Sequence, residues 1–445
     1  MSMKIVSSYK VKIKQYNNIF FDTIKIYQNA VAFFLEVCDK EWDVIELLQL
    51  KERNNHIESI TISTKKHPDP TYDFNEKFYK MPSYLRRAAI QEAIGCYCSY
   101  KSNLRNWEQT DKSSKKPKLT IDRNTCPSLY KDNMYVRDDD NHASIKIYHR
   151  NDWIWLSVEL NTQDVKYIKN HCGSRVEKVP TLCKKGRNCY FVFPFEEKVE
   201  SPNKDIKEQV VCAVDLGLNN HAVASIMQSD GTVIDRKIID FPIEKDHLNK
   251  SIGRLKKAQQ QGAGKTPIKW KHINDINTEI SRKVAKAIID FACLYSVDVI
   301  VFEYLDTSGK KRGKTKQKLH LWRKKEIREI VSHNAHRCGI RISRICARNT
   351  SKLAFDGSGK VERGAYTLHG QEYYNYSVCV FLSGKIYHCD LNASYNIGAR
   401  YYIREILKSE PAMVRLPDET KVSRYGTGTT RTLSTLIRLN ADLVA

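Results

Sequence analysis

Apolar and polar residues alternate with different periods along this chain, and each period predicts a different kind of element. Over residues 9–16 (YKVKIKQY) apolar positions alternate strictly with lysines, which predicts a half-buried strand. From about 17 to 125 apolar residues recur every three or four positions, most clearly over 82–107, which predicts helices. From about 126 to 205 short apolar runs separated by polar turns predict an antiparallel sheet or barrel.

The second half of the chain alternates strands and helices. Two strongly apolar runs, VVCAVD and VDVIVFE, are typical of strands buried on both faces, and each ends in a carboxylate. The Asp-Gly pair in the turn at 229–231 predicts a hairpin. The predicted order is three strands (210–215, 221–227, 232–239), a helical stretch (244–295) interrupted by QQGAGK, a strand (297–303), a helix (319–338), a strand (341–346) and a helix (390–407).

Three acids occupy the ends of these elements. Asp215 and Glu303 end the two apolar strands, and Asp390 lies in the first turn of the last helix. A carboxylate among apolar residues is costly to keep charged, and a divalent cation relieves that cost. Mg²⁺ prefers oxygen ligands, and two ions about 4 Å apart can activate water and stabilise the leaving oxygen of a phosphodiester. The three acids are therefore candidate catalytic and metal-binding residues.

Taken singly, each acid has an ordinary explanation. An Asp before glycine usually forms a turn, a Glu after a strand usually lies on the surface, and an Asp that opens a helix is usually a cap. The order of the elements favours the catalytic interpretation. A strand, hairpin, helix, strand, helix, strand and helix, with acids at those three places, form the RNase H-like layout.

The charge of the chain indicates a class of partner. The 445 residues include 74 Lys and Arg against 51 Asp and Glu, and the formal net charge of +23 attracts a polyanion such as nucleic acid or an anionic membrane surface. No apolar run approaches the roughly 18 residues of a membrane span, and no lipidation signal accompanies a basic helix. We expect nucleic acid and no membrane as partner, two or three domains and, since the amino terminus lacks the apolar core of a signal peptide, a cytoplasmic protein.

Three basic regions are candidate nucleic-acid contacts, although each could also be solvated surface. The lysines of the first strand could follow a phosphate backbone. Arg87 and Gln91, one turn apart on a helix, are residue types that read guanine and adenine. The run GKKRGKTKQKLHLWRKK after Glu303 is favoured as a backbone clamp or active-site lid. The candidates are Lys10, Lys12, Lys14, Arg86, Arg87, Gln91, Lys310, Lys311, Arg312, Lys314, Lys316, Lys318, Trp322 and Arg323.

The thirteen cysteines contain no C-x-x-C pair, and we expect them to be reduced thiols that fill apolar space. His171, Cys172, Cys183 and Cys189 could in principle hold a zinc ion, but their spacing matches no common zinc template. We therefore expect no zinc site among them.

Four segments closely resemble the RuvC-type motifs of TnpB proteins and of the type V CRISPR effector nucleases: VDLGLNNHAV, IVFEYL, the NTS of RICARNTS, and DLNASYNI. The similarity covers roughly 206–407, and the amino-terminal half is similar only in its layout. The resemblance implies that Asp215, Glu303 and Asp390 are the metal-binding catalytic triad. It also implies two Mg²⁺ ions (with Mn²⁺ as a substitute), a guide RNA and a double-stranded DNA target.

The resemblance further implies an α+β multidomain fold. An RNase H-like (RuvC) α/β nuclease domain would accompany an oligonucleotide-binding-like β-barrel with an inserted helical recognition lobe. The expected domains are the barrel (wedge) domain at 1–16 and 126–205, the helical recognition domain at 17–125, the nuclease domain at 206–410 and a C-terminal tail at 411–445.

The chain departs from the family at the zinc ribbon, which usually carries two C-x-x-C pairs. Ala354 and Gly357 stand where the first pair is expected, and Val380 and Ser383 where the second is expected. We predict no structural zinc. The degenerate segment, 352–388, should then hold its shape by packing, for which the candidates are Tyr366, Tyr373, Tyr374 and Tyr376.

The leading hypothesis is an RNA-guided, Mg²⁺-dependent DNA endonuclease that recognises a short motif flanking its target and selects the sequence by base pairing. One alternative is an RNA-guided DNA-binding repressor without cleavage, since the zinc ribbon is degenerate. Another is an RNase H-like transposase that joins DNA ends without RNA. The sequence leaves open the source of the guide (transposon end or CRISPR array), the RNA scaffold, the flanking motif and the oligomeric state.

Overall fold

A computed structural model describes residues 2–15, 18–64, 68–109, 115–122, 124–200, 204–217, 220–304, 323–368, 370–409, 425 and 427–444. The chain forms two compact units. The first unit is Val6–Glu197, and the second is Lys198–Ala445 together with Met1–Ile5. Among the described residues, no helix is both long enough and apolar enough to cross a bilayer.

The first unit contains the helices predicted from the three- and four-residue periodicity. They are α1 (Ile19–Ile45), α2 (Leu50–Thr61), α3 (Phe74–Lys77) and α4 (Ser83–Glu108). The helices α1 and α4 pack against each other and bury an apolar face that includes Phe34, Leu85 and Ala89. The ring of Phe34 stacks on that of Phe74 with centroids 4.8 Å apart, which joins α3 to the same core.

The remaining elements are one helix and the strands of two antiparallel sheets. They are β1 (Ser2–Lys12), β2 (Tyr135–Arg137), β3 (His142–His149), β4 (Asp152–Glu159), α5 (Thr162–Cys172), β5 (Val176–Glu177), β6 (Thr181–Lys185) and β7 (Asn188–Glu200). Strands β1 and β7 extend a few residues beyond the bounds of this unit. One sheet has the order β2-β3-β4, and the other has the order β1-β7-β5 with β6 paired to β7. Ile13, just after β1, joins the two sheets because it bridges to Leu160 and its N–H donates to the carbonyl of Cys189 at 3.0 Å.

Helix α5 was not expected from the short-strand pattern. The side chain of Asn161 accepts hydrogen bonds from the backbone N–H groups of Gln163 and Asp164 at 3.0 and 3.1 Å, which satisfies two donors at the start of the helix. Val165 and Ile168 are buried one turn apart. The cap and the spacing were both present in the sequence.

The second unit contains a five-stranded sheet with the predicted order of elements. Its elements are β8 (Val211–Asp215), β9 (Ala222–Met227), β10 (Val233–Ile239), α6 (Pro242–Gln260), α7 (Pro267–Leu294), β11 (Val299–Tyr304), α8 (Lys324–Arg337) and β12 (Arg341–Cys346). The strands lie in the order β10-β9-β8-β11-β12. Strands β8, β11 and β12 are parallel, and the β8–β9–β10 meander is antiparallel. This is the layout predicted from the sequence.

Both faces of the central strands are covered. Cys212 and Val214 of β8 lie in the core formed with α7 and α8, and Val211 and Ala213 lie in the core on the opposite face. The second face is covered by α9 (Cys389–Ser409) and α10 (Leu433–Val444). A Cβ atom at Gly398 of α9 would lie 3.3 Å from the Ala213 Cβ, so the glycine permits close packing of this helix on the sheet. The sequence had not indicated α10.

The degenerate ribbon segment forms a three-stranded antiparallel sheet of β13 (Glu362–Leu368), β14 (Gln371–Val380) and β15 (Ile386–His388). Ala354, Cys379, Phe381 and Cys389 form a small apolar core beneath it, the ribbon core. The expectation that the tyrosines hold this segment together is wrong for Tyr373, Tyr374 and Tyr376, which are exposed.

Candidate active site

Asp215 and Glu303 meet at one edge of the five-stranded sheet. They end β8 and β11, which are parallel neighbours in a register that pairs Val214 with Phe302. The next residue of each strand is therefore an acid at the carboxyl edge, the edge at which open α/β sheets bind their ligands. Both carboxylates are partly buried.

Asp390 reaches the same edge from helix α9. Its Oδ2 accepts a hydrogen bond from Asn220 Nδ2 at 3.1 Å. Gly217 lies between the end of β8 and this contact, and a Cβ atom there would lie 3.7 Å from the same Oδ2 and only 2.7 Å from the carbonyl oxygen of Asn220. Glycine at 217 therefore lets the turn after Asp215 lie against Asp390, so acids 175 positions apart share one site.

The electrostatics of the site reflect this convergence. Burial raises the pKa of Asp215 well above its usual range, the charges of Glu303 and Asp390 raise it further, and the guanidinium of Arg363 partly offsets the rise. Burial also raises the pKa of Glu303, and a hydrogen bond from Thr350 and nearby cations oppose that rise. The acids are therefore costly to keep charged together unless positive charge is supplied.

The chemistry of this donor set fits a hard divalent cation. Three partly buried carboxylates offer the oxygen ligands that Mg²⁺ and Mn²⁺ favour. In the described part of the chain, no three His, Cys, Asp or Glu side chains are close enough together to enclose one ion. The roles of the three carboxylates as ligands and catalysts stay predictions.

The motif DLNASYNIGAR of α9 contributes mainly scaffolding. Asn392 Oδ1 accepts from the backbone N–H of Phe355 at 2.8 Å, and its Nδ2 donates to the carbonyl of Leu353 at 2.9 Å. One turn later, buried Asn396 donates to the carbonyls of Thr350 and Leu353, both at 2.9 Å. The two asparagines therefore fix the irregular segment after β12 against the helix.

Arg400, a further turn along α9, is a residue that sequence reasoning missed. It is 3% exposed and near enough to Glu303 to influence its ionisation. Burial lowers the pKa of Arg400 to about 10. Its guanidinium donates to four backbone carbonyls at 2.8 to 3.1 Å, those of Cys346, Arg348, Thr429 and Arg431. Arg400 thus joins the segment after β12 to the segment before α10 and places a positive charge behind the carboxylate.

Thr350, the threonine of the NTS segment, contacts the site directly. Its hydroxyl donates to Glu303 Oε1 and also lies 2.9 Å from the carbonyl oxygen of Ala347. Asn396 holds the backbone carbonyl of the same threonine. The NTS segment therefore positions the side chain of Glu303.

His388 caps the helix that carries Asp390. Its Nδ1 accepts from the backbone N–H groups of Asp390 and Leu391 at 3.2 and 3.4 Å. Its Nε2 lies 3.4 Å from Asn220 Nδ2. The sequence signal was a histidine two residues before an acid at a helix start.

The predicted basic contacts of the first unit have different surroundings. Lys10 is exposed and Lys12 is half-buried, whereas Lys14 forms an ion pair with Glu159 of β4. The alternation predicted for this strand is present, since Val11 and Ile13 are buried. The strand ends at Lys12, however, before the residue 16 that the pattern suggested.

The arginines predicted to read bases share one carboxylate. Arg86 Nη2 and Arg87 Nε both donate to Glu58 Oε1 of α2, at 3.2 and 3.3 Å. Gln91 is exposed one turn after Arg87. Arg86 therefore serves α2–α4 packing, and Arg87 and Gln91 remain on an open face.

Most of the predicted basic loop lies outside the described residues: Lys310, Lys311, Arg312, Lys314, Lys316, Lys318 and Trp322. Arg323 is described. It donates to Glu326 Oε2 at 2.9 Å and to Asn274 Oδ1 of α7 at 2.7 Å. In this structure it ties the start of α8 to α7.

The fold and the acidic edge define an RNase H-like α/β unit within a mixed α+β chain, and comparisons with known proteins agree. The sequence pattern of the Aq_aa04 family matches residues 7–149. The protein aq_aa04 of Aquifex aeolicus (strain VF5) is 28% identical over 143 residues, 28% of this chain and 80% of that protein. The TnpB-like protein aq_aa05 of the same organism is 26% identical over 248 residues, 50% of this chain and 78% of that protein.

Two solved structures share the fold. A Cas12f1–sgRNA–target DNA complex superimposes with a TM-score of 0.50 at 15% identity, over 85% of this chain and 81% of that chain. The mini-RNA-guided endonuclease CRISPR-Cas_phi3 gives a TM-score of 0.50 at 11% identity, over 89% of this chain and 92% of that chain. The expected fold class and the resemblance to TnpB and compact type V effectors are therefore confirmed.

Proposed function

We propose that this protein is an RNA-guided DNA endonuclease whose cleavage centre is the edge formed by Asp215, Glu303 and Asp390. The observation that carries the proposal is the convergence of these three acids, from two parallel strands and one helix, on one edge of an RNase H-like sheet. Acids with a purely structural role would be expected to form ion pairs or to cap helices, each at a different place in the fold.

A guide RNA and a double-stranded DNA target are the proposed partners. The formal net charge of +23 suits a polyanion, and proteins of the same fold were solved as a complex with guide RNA and target DNA or named as an RNA-guided endonuclease. Base pairing would select the sequence, and the protein would read a short flanking motif and the shape of the heteroduplex.

The three acids would hold the Mg²⁺ ions, which when bound supply an activated water and charge stabilisation for hydrolysis of the phosphodiester. Residues of this chain prepare the ligands. Asn220 orients Asp390 by its hydrogen bond, and Thr350 orients Glu303. The buried charge of Arg400 behind Glu303 favours its ionised form.

The proposal is tested by cleavage of a plasmid that carries a target matched to the copurified RNA, with Mg²⁺ and with EDTA. We expect Mg²⁺-dependent cleavage by the wild type and none by Asp215→Asn or Glu303→Gln, with target binding nearly unchanged. Asp230→Asn is the matched control because Asp230 lies in the β9–β10 turn at the opposite edge of the same sheet. Cleavage by Asp215→Asn at the wild-type rate would disprove the assignment.

A second candidate is an RNA-guided DNA-binding protein that does not cleave. It is favoured by the apolar ribbon core, in which Ala354 takes a position where the family resemblance places a zinc ligand. The same assay separates the two candidates. Specific target binding by the wild type without cleavage in Mg²⁺ or Mn²⁺ would support the second.

A further inference from the structure

Cys126 and Cys183 lie directly opposite each other in the first unit. Residues 124–129, which precede β2 in the chain, run antiparallel beside β6, and Ser128 bridges to Thr181. Cys126 precedes Ser128 by two residues and Cys183 follows Thr181 by two, so this register places the cysteines opposite each other. A hydrogen bond between the two thiol groups is independent evidence for the same position.

The pattern of backbone hydrogen bonds brings these two strands close together at the cysteines. The bridge of Ser128 and Thr181 is flanked by two bonds, from Leu129 N–H to the Pro180 carbonyl at 2.8 Å and from Leu182 N–H to the Pro127 carbonyl at 3.0 Å. This is the pattern of a non-hydrogen-bonded pair, and it recurs two residues along, at the cysteines. The Cα atoms of such a pair are about 4.5 Å apart, within the roughly 4.4 to 6.8 Å that a disulfide spans.

The backbone ladder between this segment and β6 ends at the thiols. Pro127 has no N–H to donate, and the N–H of Lys184 donates to the sulfur of Cys126. The carbonyl of Thr125 accepts instead from Gln28 Nε2 of α1 at 3.0 Å. A covalent bond between the two sulfur atoms would therefore join the strands where their backbone pairing has ended.

Both thiols lie on the more exposed face of these strands. Burial alternates along the segment, so Thr125 and Pro127 are buried whereas Cys126 is partly exposed. In β6, Leu182 is buried and Cys183 is partly exposed. The expectation that the cysteines fill apolar space therefore does not hold for these two, and a small oxidant in solution can reach them.

The surroundings of Cys183 favour its thiolate form. The hydrogen bond from Cys126 lowers the pKa of Cys183, burial opposes this effect, and the Thr181 hydroxyl and the charge of Lys10 lower the pKa further. The Thr181 oxygen lies 3.7 Å from the Cys183 sulfur. The hydrogen bond between the thiols raises the pKa of Cys126. Cys183 is therefore the nucleophile of the pair, and Cys126 is the thiol that follows.

Two other cysteine pairs in the described part of the chain have thiols in hydrogen-bond contact, but each lacks one of these properties. Cys379 and Cys389 are buried in the ribbon core, out of reach of an oxidant. Cys293 and Cys338 are exposed, but burial and the bond with Cys338 raise the pKa of Cys293 to about 11. This exposed pair serves as a control.

We propose that Cys126 and Cys183 are a redox modification site at which a hydroperoxide forms a reversible disulfide. The Cys183 thiolate attacks one oxygen of hydrogen peroxide, the O–O bond breaks, and a sulfenic acid and hydroxide result. The Cys126 sulfur then attacks the sulfenic sulfur, and the hydroxyl leaves with the Cys126 proton as water. In total, two thiols and one hydrogen peroxide give one disulfide and two water molecules. A dithiol reductant reverses the oxidation by thiol–disulfide exchange.

The disulfide would close a covalent loop over residues 126–183, which contain β2, β3, β4, α5 and β5. Oxidation would therefore fasten the segment that follows the helices to the sheet of β6. The inference goes beyond the proposed function and is independent of it, because it concerns thiols of the first unit and none of the three acids.

The test treats the reduced full chain, with its copurified RNA, with hydrogen peroxide at neutral pH. Remaining thiols are blocked with N-ethylmaleimide, and the peptides are mapped by mass spectrometry without reduction. We expect a peptide in which Cys126 is linked to Cys183, and its loss after dithiothreitol. Hydrogen exchange at residues 124–129 should slow roughly tenfold on oxidation, because the segment can then separate from β6 only with the covalent link in place.

Cys126→Ser should stop the oxidation at the sulfenic acid of Cys183, which dimedone traps. The matched control is Cys293→Ser/Cys338→Ser, which removes the exposed pair of thiols and should leave both the crosslink and its rate of formation unchanged.

Oxidation of Cys183 to a sulfinic acid without a crosslink would overturn the proposal. So would a Cys126–Cys183 crosslink that forms no faster than one between Cys293 and Cys338, or a crosslink between two chains on a non-reducing gel. Because these readouts need no cleavage, failure of the wild type to cleave plasmid would defeat the proposed function alone.

Discussion

The acidic edge of the five-stranded sheet and the ribbon core are neighbours in one unit, but they bury opposite kinds of group. At the acidic edge, three carboxylates are kept partly buried, and Asn220, Thr350 and Arg400 are arranged around them. In the ribbon core, alanine, phenylalanine and two thiols pack without a charge. The polar groups at the acidic edge are held by specific hydrogen bonds and charges, whereas the ribbon core keeps its shape by apolar packing alone.

The largest expected effect tests the support behind the acidic edge. Arg400→Met removes the donor of four partly buried hydrogen bonds to backbone carbonyls, which should lower the unfolding free energy by about 3 kcal/mol. Urea denaturation measures it. The control is Arg404→Met on the same helix, where the side chain is more exposed and the loss should be smaller. Equal losses from the two variants would show that Arg400 has no special role.

The next effect tests the ribbon core. Phe381→Ala removes the largest side chain of the ribbon core and should lower the free energy of local unfolding of this sheet by about 3 kcal/mol. Hydrogen exchange should accelerate in β13 and β14 while β8 and β11 stay protected. Leu382→Ala is the control, because Leu382 is the next residue and is exposed. Faster exchange throughout the five-stranded sheet would mean that the two regions are not separate packing units.

A smaller effect tests how the NTS segment serves the site. Thr350→Val keeps the shape but removes the hydroxyl that donates to Glu303, so cleavage should fall about 10- to 100-fold and the Mg²⁺ concentration for half-maximal rate should rise. Thr350→Ser should restore both. A slower rate with the same Mg²⁺ dependence would indicate that the hydroxyl only stabilises the loop.

The smallest effect tests the cost of the acidic edge itself. Folding raises the pKa of Asp215 above its usual 3.8, so the charged form is disfavoured in the folded state. The resulting loss of unfolding free energy reaches its full value only at pH values above the folded-state pKa. In EDTA at neutral pH, Asp215→Asn should raise the Tm by roughly 2–4 °C if the penalty is about 1 kcal/mol.

The difference in Tm between Asp215→Asn and the wild type should become smaller as the pH falls toward 4, because the wild-type carboxyl then binds its proton. Mg²⁺ should raise the Tm of the wild type and have less effect on Asp215→Asn. Differential scanning calorimetry at several pH values follows both trends. A lower Tm for Asp215→Asn in EDTA would show that the carboxylate stabilises the fold.

Much of the second unit could be predicted from its sequence because the information is local. Runs such as VVCAVD predict buried strands, and the acids that end them indicate which edge of the sheet is the candidate site. Arg400 could not be found in this way. Its partners are carbonyl groups of residues 29 to 54 positions away, and a backbone carbonyl leaves no mark in the sequence. The tyrosines of the hairpin were misjudged for a related reason, since alternation shows which residues share a face but not which face is covered.

The junction between β15 and α9 has a mechanical consequence. The strand ends at His388 and the helix begins at Cys389, so no linker separates the hairpin sheet from the turn that carries Asp390. A displacement of the sheet would therefore move the first turn of the helix directly. The position of the sheet and the position of the Asp390 carboxylate are therefore coupled by the continuity of the chain.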